Sequence, residues 1–494
     1  MFARDFDPPS GSPRIVGPVL AESLHIYMRS GNGCEAFSRM LIPWLRPVTF
    51  YGRARGRLEL LRLQWLKRAL VFALIWICIT TAVCARAGSA SSILPNAWPS
   101  FLNPNNWPGR LNPQTWPFTL IPIPFVATDP NAGTTYGILP VMLFTDKNNQ
   151  IDDIIAPDLT ENSTLGPGGD FRFLAYPSAD TQWYVMGGLT QKITRNTDIE
   201  YATGRTHQDQ WSFTGRFFFE RDPTERFFGI GNNTPFGHQT NYTTEQVFAT
   251  FMLGYNFTPR LQLAVTEEPR YVRLFNGAFG SVPSLFKLFP HVNGINGGTE
   301  FVNQAMLTYD NRDSIDIPTD GGIALLFGSI TDRRLLSSGS YDKFGGELRH
   351  YFPIGRKLTL AGHFFMQYTP AGNETPFWSM ARLGGEDSLL TDQQTLRGYG
   401  AGRFVDNNLL DMNIELRARV FDTDIFGTHG ILELAPFLEA GRVFHSVNEN
   451  PFGSLHKVGG IGFRGIALPF VVGYVDVGWG SEGAAVFSGI NYPF

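Results

Sequence analysis

From about Phe118 onward, apolar and polar residues alternate with a period of two, the spacing that sends successive side chains to opposite faces of a strand. The segment Asp411 to Val420 is the sharpest case. Met412, Ile414, Leu416, Ala418 and Val420 fall on one face, while Asp411, Asn413, Glu415, Arg417 and Arg419 fall on the other. Trp211, Phe213, Phe217 and Phe219 oppose Ser212, Thr214, Arg216 and Glu220 in the same way, and Leu358, Leu360, Phe364, Met366 and Tyr368 oppose Thr359, His363 and Gln367. Turn clusters such as Pro167-Gly168-Gly169-Asp170 separate these runs. A first strand is expected near Phe118 to Val126 or Gly137 to Phe144. Two architectures accept such a pattern. A soluble sandwich buries the apolar face as its core, whereas an outer-membrane barrel turns that face to lipid and lines its lumen with the polar one. Five charged or amide side chains in one row cannot occupy a dry core. Runs of about 9 to 12 residues also match a tilted bilayer span better than the strands of globular sheets. Aromatic residues near strand ends fit interfacial girdles. The expectation is therefore an all-β fold, a single antiparallel transmembrane β-barrel of outer-membrane type over residues 118–494.

Upstream the pattern changes. Lys67-Arg68 precede the uncharged run Ala69 to Val83, followed by Ala85-Arg86-Ala87 and Gly88-Ser89-Ala90. Basic residues, about 15 apolar ones and an A-x-A site have the layout of a secretory signal peptide, whereas a membrane anchor needs nearer 20. Residues 1–87 read as a presequence, and the Arg-rich stretch before Lys67 is explained if the true start lies nearer Met28 or Met40. Residues 88–117 form a segment rich in Pro, Trp and Asn, expected to be periplasmic or to plug the barrel.

Composition sharpens this picture. Cys34, Cys78 and Cys84 all lie before residue 87, so disulfides, thiolate catalysis and zinc–cysteine sites are excluded from the body of the chain. The residues after 87 carry 28 of the 40 Lys+Arg and 39 of the 44 Asp+Glu, a net of −11, which excludes a nucleic-acid partner whose phosphates need compensating cations. No G-x-S-x-G, H-E-x-x-H or G-x-x-x-x-G-K-[ST] occurs. Asp129-x-Asn131-x-Gly133 has part of a calcium-loop spacing but lacks the closing Glu, and reads as a turn. The expectation is no enzyme, no cofactor and no metal.

Gly489, Tyr492 and Phe494 give G-x-x-aromatic-x-aromatic at the C-terminus, with Val486, Ile490, Tyr492 and Phe494 on one face of a last strand. This resembles the C-terminal assembly signal of bacterial outer-membrane barrels, although Phe487 stands where a polar residue is usual. Further stretches resemble the BamA/TamA family, also called the bacterial surface-antigen family. Thr395-Leu396-Arg397-Gly398-Tyr399-Gly400 is similar to the [VL]-R-G-[FY] tip of the long loop that folds back into the barrel. Asn413-Ile414-Glu415-Leu416-Arg417 is similar to the E-x-R strand after it, and Phe437-Leu438-Glu439-Ala440-Gly441 to the F-x-[DE]-x-G strand. Glu225 to Asn232 and Tyr309 to Asp313 are weaker echoes, and the order along the chain is the family order.

The resemblance implies about 16 strands, a Gram-negative outer-membrane location, and partners comprising outer-membrane lipid, the barrel assembly machinery during biogenesis and a translocated protein or solute. It also implies that Arg397, Gly398 and Tyr399 enter the lumen. Alternation puts Glu433, Phe437, Glu439 and Gly441 opposite Leu432, Leu434 and Leu438, so Glu439 is expected to face the lumen and pair with Arg397, with Glu415, Arg417, Glu433, Phe437 and Gly441 in support. On composition alone Arg397 reads as a solvated loop residue; with the motif it reads as a loop-to-wall latch. Relatives that insert or secrete proteins carry folded POTRA modules before the barrel, and residues 88–117 are too short and too proline-rich for one. The function expected is membrane assembly or translocation through a loop-gated lumen. A passive diffusion pore and an outer-membrane hydrolase are the alternatives.

Overall fold

The computed structural model describes residues 116–146, 151–370, 372–386, 393–425, 428–467 and 471–494. Residues 1–87, expected to be a presequence, and all but the last two residues of the segment 88–117 lie outside the described residues. The strands, in chain order, are β1 (Thr119–Asp129), β2 (Gly133–Thr145), β3 (Ile151–Ile155), β4 (Leu159–Asn162), β5 (Gly166–Ser178), β6 (Thr181–Thr190), β7 (Arg195–Thr203), β8 (Trp211–Phe227), β9 (Thr240–Thr258), β10 (Leu261–Asn276) and β11 (Gly298–Asp310). They continue as β12 (Gly321–Thr331), β13 (Tyr341–Pro353), β14 (Leu358–Tyr368), β15 (Ala381–Leu383), β16 (Gln393–Gln394), β17 (Phe404–Asp406), β18 (Asn408–Ile425), β19 (Thr428–Phe444), β20 (His456–Ala467), β21 (Val471–Gly480) and β22 (Gly483–Ile490). Both stretches expected to begin the barrel are strands, β1 and β2.

Successive strands pair antiparallel, β3 and β4 lie end to end between β2 and β5, and Thr128 of β1 meets Val486 of β22. The sheet therefore closes on itself as an antiparallel barrel of 18 strands among the described residues, two more than the family number suggests. Closure has a physical cause. In hydrocarbon an open strand edge would leave N–H and C=O groups without partners, and a ring of strands has no edge.

Side-chain placement is inverted relative to a soluble domain. Leu438 is 68% exposed and Leu326 63%, while Glu439 is 2% exposed and Glu415 and Arg464 are fully buried. On β18 the polar face Asp411, Asn413, Glu415 and Arg417 is buried in the lumen, and Ile414 and Val420 look outward. An apolar stripe left facing outward on strand after strand suits lipid, not water.

β15, β16 and β17 belong to no barrel wall. They form a small separate sheet inside the lumen, within the 39-residue connection 369–407 between β14 and β18, with β15 parallel to β16 and antiparallel to β17. Leu383, Leu396, Tyr399 and Phe404 of this loop pack with Leu409, Phe437 and Val458 of the wall, giving the barrel an apolar core on one side of its lumen. The long loops and this insertion sit at one end, the loop end; β1 begins and β22 stops at the other.

The last strand differs from the expectation. β22 stops at Ile490, and Asn491 takes a left-handed backbone (φ +79°), a conformation that asparagine tolerates better than most residues. Tyr492 and Phe494 therefore do not continue the outward face begun at Val486. They turn into the lumen, where Phe494 packs on Tyr351 and Ala361 and its ring stacks on His363.

Candidate functional site

The inserted loop is shaped by its own backbone before it meets the wall. Leu396 N donates to Gly385 O, and Gly398 N and Tyr399 N both turn back to Leu396 O (2.8 and 3.0 Å), making a tight bend with Arg397 at its tip. The tip docks where the wall has no side chains to obstruct it. A Cβ at Gly478 would overlap the Arg397 carbonyl oxygen, and one at Gly480 would lie 2.8 Å from the Tyr399 ring. The backbone of β21 is thus a groove cut to the loop's path.

Three wall strands, β18, β19 and β21, supply the carboxylates that receive Arg397, and β20 adds Arg464 beside them. Its Nε donates to Glu439 Oε1 and its backbone N to Glu439 Oε2, each at 2.6 Å. Nη1 donates to Glu415 Oε1 (2.9 Å) and also to Asp476. Arg464 Nη2 donates to Glu415 (2.8 Å) and lies 3.4 Å from Asp476, and Arg417 Nε donates to the other Glu415 oxygen (3.0 Å). The Phe437 ring lies 3.7 Å from the Arg397 guanidinium carbon, a cation–π contact. Three guanidiniums and three carboxylates thus balance in a space closed to solvent. A buried ion demands such balance, because leaving one partner unpaired costs several kcal/mol.

The other expected residues occupy neighbouring positions. Gly441 makes room for Leu383 of the loop, since a Cβ there would lie 3.0 Å from that side chain. Tyr399 does not join the ionic cluster; its hydroxyl meets Ser481 Oγ at 2.9 Å. Glu433 belongs to a lower layer, where it accepts from the Tyr492 hydroxyl (3.3 Å) while Arg417 lies over the Tyr492 ring at 3.8 Å. Gly489, in β22, sits opposite Tyr474 of β21, and a Cβ there would lie 2.7 Å from the Tyr474 hydroxyl.

Sequence reasoning missed Asp476 and Arg464. Asp476 is the one charge in the apolar, glycine-rich strand Val471–Gly480, and Arg464 is the one charge in the run Val458–Ala467 of β20; that isolation is the signal that could have found them. It also missed a second attachment of the loop. Ser379 Oγ donates to Glu300 Oε1 (2.6 Å) and accepts from Tyr341 Oη (3.0 Å), while Lys343 Nζ donates to Ser379 O (2.8 Å). These partners stand on β11 and β13, away from the Arg397 wall. Between the loop and the β7–β10 wall remains a cavity of about 190 Å³ whose lining includes Glu200, Arg216, Glu268, Arg270 and Arg382.

Residues 182–470 match the family model described as the Omp85 superfamily domain. The motifs Thr395–Gly400, Asn413–Arg417 and Phe437–Gly441 all fall within that span. No curated protein matches the sequence. Among solved structures, the chain is similar to BamA from Haemophilus ducreyi lacking POTRA domains 1–3, at 15% identity and TM-score 0.45, covering 72% of this chain and 75% of that one. It is similar also to CdiB from Escherichia coli (12% identity, TM-score 0.37, 76% and 67% covered) and to the Escherichia coli carbohydrate-binding barrel Wzi (11%, 0.32, 76% and 83%).

Proposed function

The chain belongs to the Omp85 superfamily as an outer-membrane β-barrel of that type, and on that premise we propose that it acts in membrane assembly or in passage of a protein or solute across the outer membrane of a Gram-negative bacterium, with the inserted loop as its gate. One observation carries the reading: Arg397, at the tip of a loop that starts and ends at the barrel rim, is fully buried among Glu415, Glu439 and Asp476. A connection with no task in the lumen would sit in solvent at the rim, where its backbone polar groups are satisfied by water. Holding it inside takes a charge-balanced receptor on four strands. Such a receptor can hold the lumen shut and release it when the tip withdraws or when the junction of β1 with β22 parts.

In this reading Arg397, Gly398, Tyr399 and Glu439 form the latch, and Gly489, Tyr492 and Phe494 are read during biogenesis by the barrel assembly machinery. No covalent chemistry is assigned. The test is single-channel recording in planar bilayers. The unmodified barrel is expected to show low, intermittent conductance, and Arg397→Ala or Glu439→Ala to raise it. A steady open conductance in the unmodified protein, indifferent to Arg397, would instead identify a diffusion pore running through the cavity beside the β7–β10 wall.

A further inference from the structure

The closure of the barrel is thinnest at one place. β1 pairs with β2 continuously from Thr119↔Leu143 to Asp129↔Gly133, and β21 with β22 from Gly473↔Ile490 to Gly480↔Gly483. Between β1 and β22 the described residues show a single bridged pair, Thr128↔Val486. Pro122 and Pro124, two residues apart, remove two N–H donors from one edge of β1, which suits a strand that is not fully paired on both sides. One ladder pair contributes little, of the order of a single net hydrogen bond or two. Something else must hold these strands side by side.

The loop reaches both. On the β1 side, the turn between β1 and β2 is set by Asp129, whose Oδ1 accepts from Asn131 N and Ala132 N (2.5 and 2.8 Å). The Asn131 side chain is buried and donates to Ala401 O of the loop at 2.9 Å. Gly400 lies so close to Asn131 and Pro130 that a Cβ there would overlap the Asn131 amide oxygen. On the β22 side, the turn Ser481–Glu482 is held twice. Tyr399 Oη meets Ser481 Oγ (2.9 Å) and accepts from Ser481 N (3.2 Å), while Arg403 grips Glu482 through Nε (2.8 Å) and Nη2 (2.7 Å). Arg403 is buried and anchored further by Thr234. The partners of Arg397 stand on β18, β19 and β21, all on one side of the junction, so the ionic cluster cannot by itself hold β1.

We propose that residues 399–403 of the inserted loop clasp the junction, with Asn131 as one jaw and Ser481–Glu482 as the other, so that the loop must leave these two turns before β1 and β22 can part. Loop withdrawal and lateral opening are then one coupled movement. The idea rests on the reading of the loop as a mobile gate, but the two fail in different experiments.

The test uses the full chain in liposomes, with Cys34, Cys78 and Cys84 replaced by Ser and a cysteine pair Thr128→Cys/Val486→Cys placed across the junction. A second pair, Val477→Cys/Val486→Cys, lies across the continuous β21–β22 ladder as a control. Disulfide formation under a mild oxidant reports how often each pair is apposed. Asn131→Ala and Glu482→Gln each remove one jaw, and each is expected to slow crosslinking of the junction pair roughly tenfold, the weight of a strong hydrogen bond, while leaving the control pair unchanged. Heat-modifiable gel mobility checks that the barrel has formed; Glu482→Gln, at an exposed turn and nearly isosteric, keeps the test available if Asn131→Ala does not fold. Unchanged junction crosslinking in either folded variant overturns the clasp. If Arg397→Ala raises conductance while the jaw substitutions leave crosslinking alone, the gate stands and the clasp falls. If the jaw substitutions loosen the junction while Arg397→Ala leaves conductance unaltered, the clasp stands and the gate falls.

Discussion

Arg397 is held by three carboxylates at once, and that decides how its substitutions rank. Removing it leaves Glu415, Glu439 and Asp476 facing Arg417 and Arg464, an excess of one negative charge where water is excluded. Arg397→Ala is therefore expected to cost about 3–5 kcal/mol of barrel stability, read as a lower midpoint in urea unfolding or a lower temperature of gel-mobility change. Arg397→Lys keeps the charge but not the fork that addresses Glu439 and Glu415 together, so it should fall between the two. Among the carboxylates, Glu415 touches all three guanidiniums while Glu439 touches Arg397 alone. Glu415→Gln should accordingly destabilise more than Glu439→Gln, and the reverse order would show that the cluster is not shared in this way.

At the scale of elements, β21 matters as a surface as much as a strand. The tip lies against Gly478 and Gly480, so Gly478→Ala would push the Arg397 carbonyl away without removing a charge. It should raise conductance as Arg397→Ala does while keeping every member of the ionic cluster, which separates docking geometry from electrostatics; conductance equal to the unmodified protein would mean the wall yields and the groove is not needed. This scale also shows what the sequence made legible. Period-two alternation sorts Asp411, Asn413, Glu415 and Arg417 from their outward neighbours correctly, because a wall with lipid on one side and charge on the other tolerates no drift in register. Arg397, Glu415, Phe437 and Glu439, brought forward by motif and alternation together, lie within one cluster. Ser379, Glu300, Tyr341 and Lys343 were not legible, since a polar residue on a lumen face has the same pattern whether it holds a loop or not. The strand number came from resemblance and fell short by two, and the tail was misread because one left-handed residue, Asn491, ends a run whose side chains otherwise continue the pattern. Phe494→Ala separates the tail's two meanings. If Phe494 only packs the lumen, the variant reaches the membrane in normal yield with a lowered unfolding midpoint; if it is read during biogenesis, the yield itself falls.

For the whole molecule, the loop is a strap fastened at two stretches of wall, β11 with β13 and β18 to β21, which β14 separates. Arg397 attaches it to β18, β19 and β21, Ser379 attaches it to β11 and β13, and the stretch between them contains β15 and β16 of the small lumen sheet. A strap with two fastenings keeps its place when either is cut, because the remaining one holds the free end at high effective concentration over its old site. Lys343→Met, which removes the donor to Ser379 O while keeping the volume, and Arg397→Ala should each raise conductance modestly. Together they should raise it by more than the two increments combined, since the double variant leaves only the contacts with Asn131, Ser481 and Glu482 to keep the loop in the lumen. Such non-additivity is expected when two groups restrain one body. Planar-bilayer recordings of the four proteins settle it, and a double variant no more conductive than the better single one would show that Ser379 merely packs the loop and that the gate turns on Arg397 alone.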